Sequence, residues 1–197
     1  MPDIDFLDID GAFGGSQYWF KKPAMYYGGC STVCACHAAA LVALKKDGRE
    51  VLCPFDSLEI TKKQFRPFFR DMFKYVYPGP RGMPKISLFE TGLAKYADSK
   101  GCTLEFEGVE GDEPYAAAES LITRSIDSGF SPQFLLLNHT DAQIDDIEWH
   151  WFSITGYERR ENDIEVAFST WGERRTISLR TLWETGCSEK GGVIVAR

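Results

Sequence analysis

The run AAALVAL at residues 38–44 is apolar on every side of a helix drawn through it, and no other stretch limits the fold as much. A helix without a wettable face must lie inside the molecule, so the rest of the chain has to wrap it. Ser31 or Thr32 can cap this helix, which the pattern extends through Val33 to Lys46, with lysines in its last turn and Gly48 as its stop. A chain of 197 residues with 44% hydrophobic content can build one sizeable core around it.

The spacing predicts three more helices, over 61–75, 87–99 and 114–128, each bounded by a Pro, Ser or Gly signal. The period then changes. PQFLLLN (132–138), EWHWFSITGY (148–157), DIEVAFST (163–170), RRTISL (174–179) and GGVIVAR (191–197) are short, aromatic and β-branched segments separated by turn residues. Helices first and adjacent strands second predict an α+β fold with an antiparallel sheet. The expected layout is a single domain: an irregular arm over 1–29, a mainly helical lobe over 30–130 and a mainly antiparallel sheet lobe over 131–197. A net charge of −7 offers no basic stripe for nucleic acid and no polybasic membrane anchor. With no signal-peptide pattern and no apolar run of membrane-spanning length, a soluble cytoplasmic protein is expected.

YYGGCSTVCACHAAAL, at the start of the apolar helix, holds three of the six cysteines and one of the three histidines. Cys30, Cys34 and Cys36 are too close along one helix for an unstrained bridge, which favours free thiols. Cys53, Cys102 and Cys187 stand singly and read as small packing residues. Cys30, Cys34 and His37 share a helix face, but positions seven apart are about 10 Å apart along the axis, too far to share one zinc ion. No second Cys/His pair supplies the missing ligands, so neither a metal nor another cofactor is expected. A nucleophile asks for less. Cys30 opens the helix, where unpaired N–H groups favour a thiolate, and Gly28 and Gly29 let other groups approach. His37 reads as a satisfied core or helix-surface histidine and His139 lies in a polar loop. His150 shares a strand face with Phe152 and Ile154.

The combination of GGCSTVCACHAAAL, HWFSITGY and FSTWGERRTISL, in that order and with about 120 residues between Cys30 and His150, resembles the papain-like cysteine peptidases, in particular their bacteriocin-processing-like branch. The resemblance implies a papain-like fold, a peptide or amide substrate, Cys30 as nucleophile and His150 as general base. The family's orienting Asn or Asp falls on Ser169, a departure; Thr170 and Asn138 are the alternatives. The family's oxyanion-hole glutamine would fall at position 24, which is Ala24, a second departure; Gln17 is the one glutamine upstream of Cys30. Trp149, Trp151 and Trp171 are expected to pack around the pair. Leader peptidases of this branch are commonly joined to membrane transporters, whereas this sequence, without a spanning or nucleotide-binding motif, reads as a free-standing enzyme. The same residues leave open an amidase or acyltransferase, an inactive binding module on the same fold, and a metal-binding Cys/His protein.

Overall fold

The computed structural model describes residues 2–197, the Gln143 side chain excepted. In chain order its elements are β1 (Asp8–Ile9), β2 (Ala12–Phe13), α1 (Pro23–Gly28), α2 (Cys30–Ala43), β3 (Glu59–Ile60), α3 (Lys62–Met72), α4 (Ile86–Ser99), β4 (Phe106–Glu110), α5 (Tyr115–Asp127), β5 (Gln133–Leu136), β6 (His150–Arg159), β7 (Ile164–Thr170), β8 (Glu173–Ser178), α6 (Leu179–Trp183) and β9 (Gly191–Ala196). The architecture is α+β.

The apolar helix is central, as its composition demands: all fourteen residues of α2 are buried. Its alanines keep the cylinder thin, so β6, α3, α4 and β9 pack around it. The main sheet runs β4-β9-β5-β6-β7-β8, with every neighbouring pair antiparallel. Period-2 alternation sorts its side chains. Leu135, Trp151 and Ile194 join the core around α2, α3 and α4, while Phe134, Phe152, Ile154 and Val193 face a second core closed by α5 and α6. The helix α5, expected within the helical half, thus lies across the sheet from α2.

Local chemistry explains the boundaries. Thr61 and Gln64 form a reciprocal capping box that starts α3, and Pro67 sits inside it on the exposed side, where water can satisfy the freed carbonyl. For α2 the start moves back from Val33 to Cys30, with Gly29 as N-cap and no side-chain cap bond. Ser31 and Thr32, expected as caps, are inside the helix; the Thr32 hydroxyl donates instead to Val76 O at 2.7 Å. The uncapped first turn leaves its N–H groups free for other work.

Three expectations need correcting. Residues 2–29 are not an irregular arm. Leu7 and Ile9 are fully buried, β1 pairs antiparallel with β2 and parallel with β3, and the Ile4 and Tyr157 amides hydrogen-bond across to Thr155 and Pro2 carbonyls. The helical stretch contains β4, which pairs with the last strand, β9. The strand expected over 174–179 ends at Ser178, whose hydroxyl caps α6 by accepting from the Thr181 amide.

Candidate active site

The helix α2 packs against β6, and the Gln17 turn lies beside the glycine that precedes it. Cys30 lies at the first helical position and is 9% exposed. The backbone N–H of Trp151, the residue after His150, lies near enough to favour the thiolate, as do those of Ser31 and Cys30 itself. Burial pushes the thiol up from its ordinary value, and these three donors offset only part of that. The long separation between Cys30 and the start of β6 is therefore closed through a single peptide group.

Two left-handed turns deliver the partner groups. Trp149, at φ 51°, turns the chain into β6 so that His150 is its first residue. Trp171 and Gly172, at φ 53° and 86°, make the tight β7–β8 hairpin that leaves Thr170 at the end of β7. A bulky residue at positive φ is strained, and here two of them flank the two groups that meet. His150 Nε2 lies 2.7 Å from Thr170 Oγ1, so the hydroxyl holds that nitrogen and not Nδ1. The Trp171 ring lies 4.8 Å from the imidazole, centre to centre, and keeps water from that bond. Burial drops the His150 pKa to about 3, with Asp146 opposing and Arg175 assisting the shift. Thiol and imidazole are therefore both neutral at rest. A hydroxyl suits this state: it can donate to an unprotonated Nε2 or accept from a protonated one without bringing a charge.

Gln17 begins a short 3-10 turn, Gln17–Trp19, and is 5% exposed. Its Cβ packs 3.2 Å from where a β-carbon on Gly29 would sit, so glycine at 29 lets this side chain lie beside the peptide leading into Cys30. Among the described residues, no hydrogen bond engages its side-chain amide. Tyr18 next to it forms an exposed wall, stacked on Trp171 and 4.9 Å from Tyr26, with its hydroxyl pK raised by burial and by the nearby Tyr26 and Cys30.

The structure brings His150 and Thr170 into hydrogen-bonding contact and sets Gln17 against Gly29, the residue before Cys30. It does not place Ser169 on the imidazole. One position along a strand reverses the face, and the Ser169 hydroxyl donates to Phe13 O at 2.7 Å on the α2 side. Asn138 is also elsewhere: its Oδ1 accepts from Trp149 Nε1 at 2.9 Å and its Nδ2 donates to Glu189, so it steadies the turn before His150. His139 is turned to the Ile144 carbonyl. Among the described residues, no group of three or more His, Cys, Asp or Glu side chains is gathered to hold a metal ion. Sequence reasoning missed Tyr18 and the Trp151 amide; the first was signalled by its place beside Gln17, the second by nothing, because backbone groups carry no residue type.

A measurement separates the two hydroxyls. In NMR of the imidazole nitrogens, Thr170→Val shifts the His150 Nε2 resonance and costs about 1 kcal/mol of stability, whereas Ser169→Ala leaves that resonance in place.

Comparison with protein-family models, with curated proteins and with solved structures finds no match to this chain. No helix among the described residues is long and apolar enough to cross a membrane.

Proposed function

We propose that this protein is a cysteine hydrolase of papain-like fold that cleaves a peptide or amide bond through a thioester on Cys30. The observation that carries the reading is a buried thiol in the first turn of a helix, beside the backbone of the residue after His150, with the His150 imidazole held by a hydroxyl and Gln17 packed against the glycine before Cys30. His150 Nδ1 takes the thiol proton as sulfur attacks the carbonyl carbon and the carbonyl π bond opens onto oxygen. The Gln17 amide and the N–H groups of the first turn of α2 receive that oxygen. The imidazolium returns the proton to the leaving amine, and water then releases the acyl group; an amine in place of water makes the same site an acyltransferase.

A second reading, a binding module without chemistry, is favoured by one observation: burial drives both the thiol and the imidazole toward their neutral forms. A peptidyl acyloxymethyl ketone decides between them. As a hydrolase the protein is labelled on Cys30 ahead of Cys187, the least buried of its thiols. Peptide mapping that finds the label on Cys187 with Cys30 intact overturns the proposal.

A further inference from the structure

A polar chain crosses the core behind the site, and the hydrolase mechanism does not use it. His37 is fully buried, two turns after Cys30 on the same helix. Its Nε2 accepts from the Gly15 backbone N–H at 2.8 Å. An amide N–H can only donate, so the imidazole proton sits on Nδ1, which donates to Ser153 Oγ at 2.8 Å. The Ser153 hydroxyl then donates to Gln133 Oε1 at 2.6 Å, and Gln133 Nε2 donates to Ser131 O at 2.9 Å. Ser131 Oγ closes the series on Ile154 O at 2.7 Å. The first contact fixes the His37 tautomer, and the Ser153 hydroxyl, which also lies 3.6 Å from Cys34 Sγ, has Gln133 Oε1 as its nearer acceptor. The chain is neutral, because burial holds the His37 pKa down to about 3.

Its far end is a loop. Gly15 precedes Ser16, whose hydroxyl accepts from the Tyr18 amide and so starts the turn that presents Gln17. The same loop is held at Phe13, whose carbonyl accepts from Ser169 and whose amide donates to Gly172 O at 2.8 Å. Its glycines are required by the fit. A β-carbon on Gly14 would run into Ser169 Oγ and lie 3.0 Å from His37 Cε1, and one on Gly15 would lie 2.5 Å from the Phe65 ring.

We propose that His37, oriented by Ser153 and Gln133, is a positioning residue that sets the Gln17 amide for the oxyanion by holding Gly15 from behind the nucleophile helix. The proposal rests on the hydrolase reading. Buried polar groups in a core need only be satisfied, and an apolar set of equal volume would pack as well. This set instead spends four polar side chains and two backbone carbonyls to hold a loop N–H two residues from Gln17.

Two reagents on the full chain test it. A peptide aldehyde adds to Cys30: the S–C bond forms, the carbonyl π bond breaks, and the thiol proton passes through His150 to the new hydroxyl. Iodoacetamide alkylates the same sulfur by displacing iodide, with no developing oxyanion. Ser153→Ala and His37→Leu are expected to weaken aldehyde binding about tenfold, a fraction of the loss when an oxyanion donor is removed, with alkylation of Cys30 within about twofold of wild type. His37→Gln, which can accept from Gly15 and donate to Ser153, restores aldehyde binding even if His37→Leu fails to fold. Gln17→Ala weakens aldehyde binding, and Ser153→Ala added to it causes little further loss. Equal losses with both reagents, or additive losses with Gln17→Ala, overturn the positioning role and leave the hydrolase intact. A wild-type protein that alkylates but adds no aldehyde overturns the hydrolase reading itself.

Discussion

His150→Ala slows acylation of Cys30 by a peptidyl electrophile by about 10²–10⁴-fold, the range expected when a positioned general base is removed. The pH profile carries a second signature. The wild-type base is neutral at all pH values above about 3, so its rate does not fall through the usual histidine range near pH 6.5. Without the base, reaction depends on thiolate formed unaided, and burial pushes that thiol up. The residual rate of His150→Ala therefore climbs by about tenfold per pH unit over neutral pH, as any thiolate fraction does below its pKa. Stopped-flow or mass-spectrometric labelling between pH 6 and 9 reads both. A variant that keeps the flat profile of the wild type would remove His150 from the chemistry.

Acid destabilises the fold well before the carboxylates titrate. His37 and His150 are each held near pKa 3 by burial, while in the unfolded chain each takes up a proton near pH 6.5. Between those values the unfolded state binds more protons, so stability is fully present above about pH 6.5 and is lost as pH falls toward 3. The two imidazoles together cost about 4 kcal/mol by pH 5, a large part of the 5–15 kcal/mol typical of a whole domain. Asp71, held low by Lys100 and Lys74, adds its loss only at lower pH, near or below the carboxylate range. Urea unfolding at pH 7 and pH 5 measures the shift in midpoint, and His37→Gln halves it. An unchanged midpoint between those pH values would mean that the buried histidines take up their protons within the fold as readily as in the unfolded chain.

The parts of the fold legible in sequence are those set by short periods. The all-apolar helix announced its own burial, and period-2 alternation located β5, β6 and β7 to within a few residues. The places of Cys30 and His150, each at the start of such an element, were legible for the same reason. What failed was set by partners far along the chain. The residues before α1 look irregular alone, and β4 is short and half polar; each is ordered by strands elsewhere in the sequence. Ser169 was preferred to Thr170 from a motif, but the choice depends on which face of β7 meets the imidazole, and a single residue of register reverses it. His37 reads from sequence as either a core or a helix-surface histidine, and neither reading carries the loop amide it holds.

The order of the site's parts along the chain has a consequence for synthesis. The helix that carries the sulfur is made early, yet the strands that shelter it, β6 and β9, are made late. At about 5–20 residues per second, the interval between Ala43 and Thr170 lasts on the order of ten seconds. Throughout it the nascent polypeptide carries a sticky hydrophobic rod with no sheet to cover it, a natural target for a ribosome-associated chaperone. On the proposed hydrolase reading, the same delay keeps the Cys30 thiol apart from His150 while the chain grows, so no nascent chain carries a complete centre.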